Sequence, residues 1–97
     1  MPTYISLTSF TEQGIKNFRD TIRRAEDYWG LAEKSGGQVR QLLWTLGEYD
    51  LVVVADFPDD ETATAVLLQV GALGNIRTKT MLAFDAEQMS AIIQRTG

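Results

Sequence analysis

Tyr49-Asp50-Leu51-Val52-Val53-Val54-Ala55-Asp56-Phe57 is a β-branched run that is apolar at odd and even positions alike. Side chains of a strand alternate between the two faces of a sheet. Leu51, Val53 and Ala55 therefore point one way, and Val52 and Val54 the other. A small antiparallel sheet ordinarily keeps one face wet. This strand needs two dry faces, and a chain of 97 residues supplies helices enough to cover one. A second copy of the chain is the simplest cover for the other. The run predicts a central strand and, with it, a homodimer or higher homo-oligomer.

Working outward, Val39 to Leu46 reads as the preceding strand, with Arg40, Leu42, Trp44 and Leu46 on one face and Val39, Gln41, Leu43 and Thr45 on the other. Gly47-Glu48 supplies a tight turn, so the two strands form a hairpin. On the other side, Pro58-Asp59-Asp60-Glu61 opens a helix, with an aspartate N-cap and acidic residues over the positive end of the dipole. Its core stripe is Ala63, Val66, Leu67, Val70 and Leu73, and Gly74 stops it.

Thr3 to Phe10 alternates too, with Ile5 and Leu7 on an aliphatic face and Tyr4, Ser6, Thr8 and Phe10 on a mixed one. Ser9-Phe10-Thr11-Glu12 has capping-box spacing, with Thr11 as the rival cap. Ile15, Phe18, Ile22, Ala25, Trp29 and Ala32 then form one helical stripe, which Ser35-Gly36-Gly37 ends. Asp20 with Arg24 and Arg23 with Asp27 have the spacing of i,i+4 ion pairs on the solvated side. Ile76 to Phe84 is the last strand, and Asp85-Ala86-Glu87-Gln88 starts a terminal helix with a greasy edge of Met89, Ile92 and Ile93. The order βαββαβ plus a helix predicts one α+β domain over residues 1–97, ferredoxin-like, with a four-stranded antiparallel sheet. Right-handed crossovers place the first and third strands in its middle. The third strand is also the most apolar, as a central strand should be.

Nine basic residues against thirteen acidic ones give a net charge of −4, which disfavours nucleic acid and anionic membrane as partners. The absence of cysteine and histidine removes thiol and imidazole nucleophiles, zinc-thiolate sites and histidine-ligated haem. No cofactor and no metal are implied. Asp59, Asp60 and Glu61 suit a helix N-terminus better than a hard cation. The N-terminus has no basic segment followed by a long apolar run, so the expected location is cytoplasmic.

Several segments carry a resemblance. Trp44-Thr45-Leu46-Gly47-Glu48-Tyr49-Asp50, the aliphatic strand after it, Pro58-Asp59-Asp60-Glu61, Gly74-Asn75-Ile76-Arg77-Thr78 and Thr11-Glu12-Gln13-Gly14-Ile15 together resemble the GYD domain family of small bacterial proteins. Glu48 separates Gly47 from Tyr49-Asp50, so the eponymous tripeptide is not contiguous. The resemblance implies a fold similar to the dimeric α/β barrels, in which two ferredoxin-like sheets close on each other. It implies no particular activity.

Three constellations are candidates for chemistry. Tyr49 and Asp50 either complete a turn with Gly47 or bring a hydroxyl and a carboxylate to a pocket rim. Arg40, Trp44 and Arg77 either protect edge strands and fill a subunit interface or receive a carboxylate-bearing ligand. Tyr4, Ser6, Thr8 and Phe10 would line a pocket once a second sheet covers them, with Thr78 and Thr80 as neighbours. Val52, Val54 and Phe10 are the candidate interface residues. The functional expectation is an oligomeric domain that binds a small organic molecule or serves as an interaction or regulatory module. The alternative is a cofactor-independent oxygenase or isomerase acting on a small aromatic or enolic substrate, using Tyr4, Tyr49, Asp50 and Arg77.

Overall fold

The computed structural model describes residues 1–97. Strands β1 (Thr3–Phe10), β2 (Gln38–Trp44), β3 (Leu51–Asp56) and β4 (Ile76–Ala83) form one antiparallel sheet in the order β2-β3-β1-β4. The first and third strands are central, as the topology requires. Helices α1 (Glu12–Lys16), α2 (Thr21–Lys34) and α3 (Asp60–Ala72) make the crossovers, and α4 (Ala86–Gln94) follows β4. The fold is ferredoxin-like.

Cross-strand partners share a face, so the register says which side of each strand the helices cover. Tyr4 faces Ala55, Ser6 faces Val53 and Thr8 faces Leu51, and all six are buried. With Phe57, Ala32, Ala63 and Val66 they form the helix-covered core. Ile5 opposite Val54 and Leu7 opposite Val52 lie on the other face, joined by Leu43 of β2 and Met81 of β4. No helix of the chain lies over that face. Leu43 and Met81 are 55% and 47% exposed, which leaves an apolar sheet surface open to water. The third strand is two-faced as expected, and one of its faces is uncovered.

The mixed face of β1 is therefore the helix side, not the side a second sheet would cover. Phe10 goes with it and shares no face with Val52 and Val54. The reason is register: Tyr4, Ser6 and Thr8 pair with the same-face trio Ala55, Val53 and Leu51, and the burial of that trio under the helices carries them inside.

The first crossover is not one helix. Thr11 is the N-cap, its hydroxyl accepting from Gly14 N at 3.0 Å, and α1 ends at Lys16. A 3₁₀ turn over Phe18–Asp20 then re-phases the chain before α2. The single stripe is broken: Ile15, Phe18 and Ile22 are half exposed or more, and α2 packs through Tyr28, Leu31 and Ala32 instead. Neither expected i,i+4 pair forms. Arg23 meets Asp20 at 3.8 Å, and Arg24 turns inward.

The hairpin turn is longer than Gly47-Glu48 alone, because β2 ends at Trp44 and β3 begins at Leu51. Thr45 N donates to Asp50 O at 2.8 Å, closing the loop between them. A register shift between Val39 and Gln41 makes Arg40 a bulge. Val39, Leu42 and Trp44 then share the helix face, and Arg40 does not join Trp44 there. No helix is long and apolar enough to cross a membrane.

Candidate functional site

A cavity of about 260 Å³ lies between the helix face of the sheet and the two helices above it. Its floor is Ser6 and Thr8 of β1, Val53 of β3 and Thr78 of β4, with Phe10 at one end. Tyr28 and Leu31 of α2 and Leu67 and Val70 of α3 form the roof. The cavity arises because the two helices meet only slightly, so neither closes the groove over the central strands. Three of the floor positions are hydroxyls on an otherwise aliphatic surface. Ser6 Oγ is spent on Thr80 Oγ1 at 2.8 Å. Burial pushes the Tyr28 phenol up to about 12, so it stays neutral.

Arg24 is the charged group of the lining that turns inward. Its Nη2 donates to the carbonyls of Gly14 at 3.2 Å and Asn17 at 3.0 Å, and its guanidinium stands 5.8 Å from the Phe10 ring centre. Its Nη1 is buried with no partner, the one side-chain nitrogen or oxygen in the chain so placed. Asp27, one turn further along α2, also lines the cavity but is solvent-exposed.

The expected site residues scatter. Ser6, Thr8 and Phe10 reach the cavity. Tyr4 does not: its hydroxyl donates to Asp60 Oδ1 at 2.5 Å. Burial first, then that bond and the carboxylates of Asp60, Asp59 and Glu61, raise Tyr4 to about 12. Asp50 is a structural staple, its carboxylate accepting from Phe10 N and its own N donating to Thr8 O, each at 2.8 Å. The Tyr49 ring lies 5.8 Å below the Lys79 ammonium. Trp44 Nε1 donates to Thr21 Oγ1 at 3.0 Å in a separate, shallower groove with Ile22 and Trp29.

Arg40 and Arg77 stand on opposite edge strands and do not converge. Arg40 Nε donates to Asp56 Oδ2 at 2.6 Å, and Thr3 Oγ1 donates to Asp56 Oδ1 at 2.6 Å. Burial pushes the Asp56 carboxyl up, but the Thr3 hydroxyl and the Arg40 guanidinium outweigh it and hold the group below the usual carboxylate range. The paired use of these residues is structural.

Tyr28, Leu31 and Arg24 are the cavity residues that the pattern reading missed. Their spacing carried the signal, because residues 24, 28 and 31 fall on one side of an α-helix. Reading Arg24 as half of a surface ion pair hid it.

The profile of the GYD domain family matches residues 4–93, nearly the whole chain. The chain belongs to the GYD domain family. A Thermus thermophilus protein named a glutamine synthetase and cystathionine beta-lyase binding protein is 27% identical over 92 residues, which are 94% of this chain and 97% of that one. A crystal structure of a protein from Thermus thermophilus is 26% identical with a TM-score of 0.57, covering 89% of this chain and 96% of the other. A feast or famine regulatory protein from M. tuberculosis, solved with L-methionine, shares the fold with a TM-score of 0.66 at 13% identity, over 89% of this chain and 52% of that one.

In this GYD domain, the segments that carried the family resemblance form a latch across the sheet's end. Thr11 N donates to Asn75 O at 3.0 Å and Thr11 Oγ1 to Gly74 O at 2.6 Å. Gln13 Nε2 reaches Leu73 O at 3.0 Å and Asn75 Oδ1 at 2.9 Å. A Cβ on Gly14 would sit 1.9 Å from Asn75 O, so the close approach of α1 to the start of β4 requires glycine. The latch presents the Gly14 carbonyl to Arg24. The motif of this GYD domain thus sets the position of the cavity's cation.

Proposed function

We propose that this GYD domain is a regulatory binding module that assembles with copies of itself and serves protein partners. The observation that carries the proposal is the open sheet face of Ile5, Leu7, Val52, Val54, Leu43 and Met81, apolar at its centre and covered by nothing in the chain. Val52 and Val54 are already half-buried in the single chain, so covering what remains of both stabilises the assembly by about 1–3 kcal/mol per subunit. Helix α4 supports the same reading. Its capping box is complete, yet Met89, Ile92 and Ile93 face solvent. A well-capped amphipathic helix without a packing partner in its own chain suits a neighbouring molecule. The name of the Thermus thermophilus relative supports a role in binding other proteins.

The test is native mass spectrometry with light scattering at micromolar concentration. A dimer or higher oligomer is expected, and a clean monomer overturns the proposal.

A second reading, small-molecule binding, is favoured by a separate observation. The cavity beneath α2 and α3 is a partly open pocket formed by one subunit alone and does not need assembly to exist. Its volume suits a small organic molecule.

A further inference from the structure

The floor of the cavity carries two neighbouring pairs of hydroxyls. Ser6 stands opposite Thr80, and Thr8 stands opposite Thr78 one rung along the same face of β1 and β4. The first pair is closed, with Ser6 Oγ and Thr80 Oγ1 sharing a hydrogen bond at 2.8 Å. The second pair is open, and the Thr8 hydroxyl has no partner in the chain. Thr8 is 3% exposed, yet its hydroxyl is not sealed, because Arg24 Nη1 is the one unpartnered side-chain nitrogen or oxygen without accessible surface. Thr8 lines the cavity, so the surface its hydroxyl keeps is cavity surface. A buried hydroxyl ordinarily has a partner, and this one finds it only in what occupies the cavity. The charged groups of the lining offer little to an ion. Arg24 Nη1 is shut off from the cavity, and Nη2 is committed to the carbonyls of Gly14 and Asn17. Asp27 is exposed, so its carboxylate stays with solvent.

We propose that this cavity binds a small uncharged molecule, apolar except for one carbonyl oxygen that accepts from the Thr8 hydroxyl. Its hydrocarbon body lies among Leu31, Leu42, Leu67 and Val70. The proposal rests on the small-molecule reading of the cavity and names its ligand class. The floor selects the polar group. A carbonyl oxygen has two lone pairs, so Thr78 can donate to the same atom from across the rung. The walls select against charge. An ion of either sign would surrender its hydration to an aliphatic site with no free counter-charge. Volume selects the size. A cavity of about 150 Å³ holds benzene, so one of about 260 Å³ takes roughly ten non-hydrogen atoms.

The experiment is isothermal titration calorimetry of the full chain with acetophenone, α-methylstyrene and benzoate. The three share a planar shape and differ in carrying a carbonyl, a hydrocarbon group or a charge at one position. Acetophenone is expected to bind about fivefold more tightly than α-methylstyrene, the size of one neutral hydrogen bond. Benzoate should bind at least about tenfold more weakly than acetophenone. Thr8→Val keeps the side-chain shape and should erase the preference for the ketone while leaving α-methylstyrene affinity unchanged. It removes no bond that the chain makes, so its melting temperature should match or exceed that of the wild type. A marked drop would mean that the hydroxyl is already satisfied within the chain, and overturns the proposal. Val70→Phe fills the cavity and should abolish binding of the neutral probes. Equal affinity for ketone and hydrocarbon, or a preference that survives Thr8→Val, overturns the proposal and leaves the small-molecule reading standing. Benzoate binding as tight as that of acetophenone overturns the uncharged class. Binding of no probe overturns the proposal and the small-molecule reading together. Undiminished binding in Val70→Phe places the probes elsewhere and also overturns it.

Discussion

The two faces of the central sheet are both apolar at their centres, yet helices cover only one of them. The face under the helices carries hydroxyls, with Ser6, Thr8, Thr78 and Thr80 among the aliphatic side chains, and it floors a partly open cavity. The face without helices carries Ile5, Leu7, Val52 and Val54 at its centre. The open face makes sense where a second molecule covers it. The Ser6–Thr80 hydrogen bond satisfies part of the interior polarity, and Arg24 Nη1 is the part left over.

Adjacent valines of β3 offer the sharpest way to break the comparison. Val53→Asp places a charge in the buried core and should cost more than about 4 kcal/mol, enough to unfold a domain of this size. Circular dichroism should report an unfolded chain. Val52→Asp, one residue away, should leave the secondary structure intact and weaken assembly by about a hundredfold or more, read as a shift to monomer in light scattering. Equal behaviour of the two variants would mean that the faces do not differ as described.

The latch comes next in size. Gly14→Ala drives a methyl into the Asn75 carbonyl and should destabilise by about 1–3 kcal/mol, measured by urea denaturation.

On the open face, Asp56→Asn removes the charge that Arg40 and Thr3 hold and should cost about 1–2 kcal/mol at neutral pH, moderated by the solvent around Arg40. Because the folded state lowers the Asp56 pKa, its contribution is present above the ordinary carboxylate range and is lost as pH falls through the folded value. The wild type should therefore lose stability on acidification more steeply than the variant. A thermal melt series from neutral to acid pH checks the sign. The smallest effect is expected at α4. Asp85→Ala breaks the capping box and should cost about 1 kcal/mol of helix stability, visible as faster amide exchange in α4 alone.

Much of the fold was legible because strands and caps report themselves locally. The alternation of Leu51 to Ala55, the Asp59 and Asp85 caps and the Gly74 stop each depend on residues within a turn or two. The candidate site was less so. Tyr4 looked like a pocket residue by alternation, and only the docking of α3 brings Asp60 to its hydroxyl. Asp50 looked available until the β1 backbone claimed both its carboxylate and its amide. Arg24 looked like a surface partner of Asp20 until the 3₁₀ turn at Phe18–Asp20 re-phased the helix.

Composition and periodicity by themselves determined the element order, the central place of β3 and its need for two dry faces, since these follow from side-chain alternation and short-range capping. Which face the helices take, how Arg40 bulges and where the Arg24 guanidinium ends depended on the tertiary structure. Those outcomes turn on register and helix phase, and both are set by contacts between residues far apart in the chain, whose energies no local pattern contains.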